Sequence, residues 1–466
     1  METTQMANGV MTDESISLQA AARVQAAVRN QIEMMCKSLD QLLPPDHFAR
    51  VVVALVKKLD LSEFYADIKA REGHVGRSPV DPAILIALIV LATVEGIGSD
   101  RQIARNCTLH LAYQWVCGGV SLNHHLLSDF RCLKPERLER LVVSLVASLL
   151  DKDLVQLTRT AQDGMRVRAS AGSSSFKKKE RLDECLREAQ EQVETLSKQA
   201  LDDESGEGDE TEDSQASASK RRSHAAQECA AAARLQRIED ALEQLPELQE
   251  KMEKRRKGDG EKARCSTTDP DARRMKMADG GTRPAFNVQL ATTDETRIIV
   301  GWDVTNAGSD AGLMTPMLEQ IEEHYGERPK EHLTDGGFSS NEDIEDVESH
   351  GTTVIRRRKR RRVFSPVKAV KNKQKKGIDP FVPQKGDSET IGNWRKRMGT
   401  EAAKAIYKLR SSIAEFPNAV FRNCGLRQFR VRGLEKTKSA TLWHVLSHDL
   451  RRIVSLGWED CLEDVR

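Results

Sequence analysis

Between Ala83 and Val94 the chain reads AILIALIVLATV, twelve residues without a charge. A bilayer span needs about 20 such residues, so this run is predicted to be a helix buried in a protein core. Asp81 and Pro82 form an N-cap and first-turn pair that opens it, and Gly96 and Gly98 stop it. A helix with no polar face must be covered on all sides, and its neighbours in sequence supply the cover. Val51, Val52, Leu55, Val56 and Leu59 recur at helical spacing. A short helix at Asp100–Cys107 follows a capping Ser99, another starts near Leu109, and a last one runs from about Pro135 to Leu150. Residues 45–150 therefore read as an all-α block.

With 466 residues the chain has room for roughly three domains. Hydrophobic residues make up 39%, enough for a sizeable core and too many for wholesale disorder. The 72 Lys and Arg balance 71 Asp and Glu, which excludes a globally basic protein and leaves charge segregated along the chain. The nine cysteines are scattered, which excludes CxxC metal or redox pairs; they read as reduced thiols of a cytoplasmic protein. The opening METTQMANGVMTDESIS lacks the basic-then-apolar order of a signal peptide. Residues 1–44 are expected to be a flexible N-terminal segment.

The stretch Asp153–Ala171 turns to β-branched residues in partial alternation and is predicted to be a strand. Residues 173–261 form a charged helical insertion. Two helix-forming pieces flank a structureless acidic run from Asp202 to Gln215, and the second carries Leu235, Ile238, Leu242 and Leu245 at helical spacing. That reads as a helical hairpin, too short in its repeat for a sustained coiled coil. From Pro284, PAFNVQLATT and TRIIVGWDVT read as a β-hairpin turning at Asp294 and Glu295. A helix at about Ala311–Tyr325, a strand ending at Asp335, a helix at about Asn341–Ser349 and a strand at Thr352–Ile355 complete an α/β order. Arg356 to Lys376 then holds twelve Lys or Arg and no acid, and the chain from about Trp394 is largely helical.

Few of these elements carry chemistry. There is no GxxxxGK[ST] phosphate loop and no GxSxG elbow. Adjacent His124 and His125 would point about 100° apart on a helix and are read as structural. What remain are strand-end aspartates: Asp163 beside Gly164, and Asp335 before Gly336, Gly337 and Phe338. An aspartate at the carboxyl end of a strand, next to glycine, opens into a crevice. Two on neighbouring strands suit a hard divalent ion; the bland alternative is a pair of turn residues.

The order of elements, with Asp163 on an early strand, TDGGF around Asp335 and the late WRKRMGTEAAKAIYKLRSSIAEFPNAVFRNCGLRQFRVRGLEK, resembles the DDE transposases of bacterial insertion sequences. SPVDPAILIALIVLATVEGIGSDRQIARNC and the stretch Ala440–Val454 extend the likeness over roughly residues 45–455. The resemblance implies an α/β ribonuclease H-like catalytic domain (151–172 and 262–455) with an all-α N-terminal DNA-binding domain (45–150), the charged helical insertion (173–261) and a C-terminal tail (456–466). It implies that Asp163, Asp335 and Glu415 are the catalytic carboxylates and hold two Mg²⁺ ions, with Mn²⁺ as a substitute. Tyr407, Arg410 and Arg422 would be the DNA contacts around that glutamate. The implied reaction is cleavage and strand transfer on double-stranded DNA, at the element's terminal inverted repeats and a target. A homodimer on paired ends would perform it, associated with the nucleoid and with no membrane involved.

Tyr407, Ser411, Glu415, Asn418 and Arg422 fall three or four residues apart, on one helix face. Pro417 lies two residues after Glu415 and predicts a kink or restart there, at a cost of about 3 kcal/mol. Such a break raises Glu401 as a rival third carboxylate, and a catalytically inactive, transposase-derived DNA-binding protein as an alternative reading. A ribonuclease H-fold nuclease without strand transfer is the other. The run Arg356, Arg357, Arg358, Lys359, Arg360, Arg361 and Arg362 reads as a DNA-backbone contact just after the fifth core strand, gaining from counterion release. Ser99–Cys117 reads as a helix-turn-helix or as a plain core hairpin.

Overall fold

The computed structural model describes residues 36–70, 78–132, 135–205, 214–349 and 361–462. Most of the N-terminal segment, the centre of the acidic run (206–213), the strand expected at Thr352–Ile355, and Arg356–Arg360 lie outside the described residues. The chain divides at Leu42, and the short helix α1 (Leu39–Leu42) belongs to the first unit.

The second unit opens with α2 (Phe48–Lys58), α3 (Ser62–Ala66), α4 (Pro82–Val94), α5 (Asp100–Leu109), α6 (Leu111–Cys117), α7 (His124–Arg131) and α8 (Pro135–Asp151). Helix α4 begins where Asp81 Oδ1 accepts the Ala83 N–H at 2.8 Å, and it is buried continuously from Leu85 to Thr93. Each large apolar side chain so buried contributes about 1.5–3 kcal/mol, which makes α4 the axis of the block. Helices α5 and α6 are separated by His110 alone, and α6 turns Ala112, Tyr113, Val116 and Cys117 into the core. Helix α5 buries only Ile103 and leaves Arg101, Gln102 and Arg105 exposed, so Ser99–Cys117 packs one face into the core, as both a helix-turn-helix and a core hairpin would.

Strand β1 (Arg159–Arg168) follows. The insertion leaves through β2 (Phe176–Lys177), runs out along α9 (Lys179–Ser205), back along α10 (Ser214–Arg255), and re-enters through β3 (Cys265–Ser266), which pairs with β2. Leu182, Ala241 and Leu245 give the hairpin a small core of its own. The main sheet is completed by β4 (Arg273–Lys276), β5 (Thr282–Thr293), β6 (Ile299–Thr305), β7 (Glu331–Leu333) and β8 (Arg362–Phe364). Strand β5 pairs antiparallel with β1 on one edge and with β4 and β6 on the other; β7 runs parallel to β1, and β8 parallel to β7. The basic run therefore precedes β8, with Arg362 as that strand's first residue, instead of following the last core strand.

Helices α11 (Met314–Tyr325), α12 (Asn341–Ser349), α13 (Val370–Lys375), α14 (Glu389–Met398), α15 (Glu401–Asn423) and α16 (Leu434–Leu456) complete the chain. Helix α16 ties the two halves together: Trp443 Nε1 donates to Arg131 O at 3.1 Å, and Asp449 Oδ1 accepts the Ile299 N–H at 3.0 Å. One apolar core runs from Leu43 through α4 to the sheet and α16. All nine cysteines are free. Among the described residues no helix is long and apolar enough to cross a membrane.

Candidate active site

Ala161 and Leu333 are register partners in the parallel pair β1–β7. Asp163 lies two residues further along β1, and Asp335 two residues beyond Leu333. Side chains repeat every second residue along a strand, so the register carries both carboxyls to the same end of the sheet. Thr334 N–H bonds Phe364 O at 3.1 Å and prolongs the ladder toward Asp335. Each carboxylate is steadied by a glycine amide: Gly164 N–H donates to Asp163 Oδ1 at 2.9 Å, and Gly337 N–H to Asp335 Oδ1 at 2.7 Å.

Burial pushes the Asp163 carboxyl up to about 6, from an ordinary value of 3.8. Arg410 and the Gly164 amide pull the other way, while Asp335 and Asp310 add like-charge repulsion. Asp310, in the loop before α11, escaped the sequence reading. Its Oδ1 accepts from Asn287 Nδ2 at 2.7 Å and Gln289 Nε2 at 2.8 Å, and its Oδ2 pairs with Arg166 at 3.3 Å. It touches both glycine turns. A Cβ on Gly164 would sit 2.5 Å from Asp310 Oδ1, and one on Gly337 3.4 Å from Asp310 Oδ2. Gly164 is required by that close approach.

Helix α15 closes the site. It runs uninterrupted across Pro417, which is buried with Ile413, Ala414, Asn418 and Phe421, so the expected restart does not occur. Burial of this face outweighs the lost hydrogen bond. Asn418 Nδ2 donates to Asp163 Oδ2 at 3.0 Å. Arg410 lies in the field of Asp163, and its charge also acts on the half-buried phenol of Tyr407. Glu415 is 59% exposed and pairs with Arg410 at 3.3 Å. Glu401 is bound to Lys404 at 2.8 Å in the first turn, and its carboxylate makes no contact with Asp163 or Asp335. Arg422 is exposed at the end of the helix. Of the described residues of the basic run, Arg361 pairs with Glu322 at 3.5 Å and Arg362 lies exposed in β8.

The structure thus brings Asp163, Asp335, Tyr407 and Arg410 together, and adds Asp310 and Asn418. The all-oxygen donor set of the two aspartates fits a hard divalent cation, and their mutual repulsion is what such a charge relieves. Glu415 faces Arg410 instead, and among the described residues no three His, Cys, Asp or Glu are gathered to hold a metal. Asn418 stood at helical spacing from Tyr407 and Glu415, which was its signal in the sequence. Asp310, inside NAGSDAG, reads only as a turn residue.

A helical block is thus joined to an α/β domain with paired carboxylates, and the family comparisons bear on both parts. The family described as "Transposase domain (DUF772)" matches residues 37–133, and that described as "Transposase DDE domain" matches residues 257–450. Together the two spans take in more than half of the chain, which belongs to the insertion-sequence DDE transposases, enzymes that use divalent metal ions. Asp335, Tyr407, Arg410, Glu415 and Arg422 lie inside the DDE match; Asp163 lies between the two matches. No curated protein and no solved structure matches the chain.

Proposed function

We propose that this transposase binds the terminal inverted repeats of its own element and cuts and joins DNA at Asp163, Asp335 and Glu415. The observation that carries the reading is the shared β1–β7 register, which sets the two aspartates at one sheet end. The strand order β6-β5-β1-β7-β8, with β7 and β8 parallel to β1, supports a ribonuclease H-like catalytic domain. Asp163 and Asp335 would hold Mg²⁺, with Glu415 as the third ligand. When bound, the ions activate water or a DNA 3′-hydroxyl and stabilise the leaving oxygen in an in-line displacement. Asn418 orients the Asp163 carboxylate, and burial under α15 keeps water from screening its charge. Arg410 is the group a phosphate would draw toward itself, releasing Glu415 to the aspartates. Helices within 45–150 hold the ends, residues 356–362 contact DNA backbone, and two chains act on two ends, in association with the nucleoid.

One observation favours a second reading: Glu415 is spent on Arg410, as an inactive, DNA-binding relic would have it. The test uses DNA carrying the inverted repeats that flank the gene, with and without Mg²⁺. Metal-dependent cleavage with joined products supports the transposase, and cleavage without joining makes it a nuclease. Specific binding without any cleavage makes it the relic.

A further inference from the structure

Beside Asp163 lies an open groove of about 880 Å³ walled by Gly164, and six of its lining residues are cations: Arg166, Arg168, Lys276, Arg283, Arg422 and Arg427. Two of these are committed. Arg166 pairs with Asp310 at 3.3 Å, and Arg283 is engaged by Asp279. The other four are exposed, and none meets a carboxylate among the described residues.

The backbone fixes three of the four against one another. Arg168 ends β1, and the chain returning from α15 pairs beside it. Arg168 N–H donates to Arg427 O at 3.3 Å, and Phe429 N–H to Arg168 O at 2.8 Å. Arg427 Nε in turn donates to Arg422 O at 3.4 Å, across the end of α15. Lys276 faces them from the end of β4. Four unspent positive charges on a rigid floor suit a run of phosphates. The lining contains no aromatic ring, so nothing there offers bases a stacking platform. Contacts from arginine and lysine to phosphate position a backbone and carry no sequence information.

We infer that this groove holds the phosphodiester backbone of the DNA strand leading to Asp163, and holds it without regard to sequence. The inference rests on the transposase reading and names a surface that reading leaves open.

The test is fluorescence anisotropy of the full chain on two duplexes, one carrying the element's ends and one of unrelated sequence, titrated from about 50 to about 200 mM salt. Arg168→Gln/Arg427→Gln should flatten the salt dependence by about two, near 0.9 per lost phosphate contact, equally on both duplexes. Arg168→Lys/Arg427→Lys should keep the wild-type slope, because the charge is retained. An unchanged slope in the glutamine variant, while the wild type binds both duplexes, overturns the groove and leaves the transposase reading standing. A loss confined to the end-bearing duplex also overturns it, since the groove would then be reading bases. Failure of the wild type to bind either duplex overturns the groove and the transposase reading together.

Discussion

The side-chain amide of Asn418, on α15, donates a 3.0 Å hydrogen bond to Asp163 on β1. This bond fastens the closing helix to the central strand of the sheet. Asn418 is buried, so Asn418→Ala removes the donor and leaves Asp163 Oδ2 without it inside the protein. The expected cost is about 1–3 kcal/mol of stability. Cleavage should fall further than DNA affinity if Asp163 acts as proposed, because the lost bond orients its carboxylate. Thermal unfolding and single-turnover cleavage check the two parts.

Asp163 also makes the metal-free protein sensitive to pH. The unfolded chain releases this proton near 4 and the folded chain near 6. Between those values the folded state holds more protons, so this residue's contribution to stability declines as pH rises from about 4 to about 6. Asp163→Asn removes a penalty of at most about 3 kcal/mol. In metal-free buffer the variant should melt higher than wild type at pH 7.5, and the advantage should vanish by pH 4.

The buried histidines act in the opposite sense. Burial holds His332 and His444 down to about 3 and His448 to about 4. Protons bind the unfolded chain first, so stability should fall as pH drops below about 6.5, continuously toward 3. His332→Gln should weaken that acid slope, measured by urea unfolding across the same range.

Much of the fold was legible where local and global demands agree. Helix α4 announced itself by an uninterrupted apolar run behind an Asp-Pro cap, and β5 and β6 by β-branched pairs around a turn. The two aspartates stood out as strand-end carboxyls beside glycines. Legibility failed where tertiary packing decides. Arg362–Phe364, a three-residue strand ended by buried Phe364 that pairs with β7, was hidden by the basic residues that lead into it. Pro417 argued for a break, but Ile413, Ala414 and Phe421 seat the helix on both sides of it. Asp310 stands outside the motifs around Asp163 and Asp335, and only the fold gathers Asn287, Gln289 and Arg166 around it.

Gly164→Ala tests how tightly that gathering is built. The new methyl carbon would lie 2.5 Å from both Asp310 Oδ1 and Gln289 Nε2. Overpacking of this kind costs about 1–3 kcal/mol, so the melting temperature should drop, and cleavage with it. A variant as stable as wild type would show that the loop carrying Asp310 yields freely.

Glu415 separates a metal ligand from a surface ion-pair partner. As an exposed pair with Arg410 it is worth about 0–1 kcal/mol to stability. Glu415→Gln should leave melting within that range while lowering cleavage by roughly a hundredfold or more. Equal cleavage by the variant would reassign Glu415 to the surface and leave the aspartates as the metal-holding pair.

The most direct test of the two-aspartate site is single-turnover cleavage of end-bearing DNA by wild type, Asp163→Asn and Asp335→Asn, each with and without Mg²⁺. The register of β1 and β7 predicts that wild type cuts only with the metal. Each variant should lose roughly a thousandfold or more in rate, about 4 kcal/mol of transition-state stabilisation, while binding the DNA within about threefold of wild type. Metal-dependent cleavage that survives Asp335→Asn would contradict the assignment, because the reacting site would then lie elsewhere in the chain.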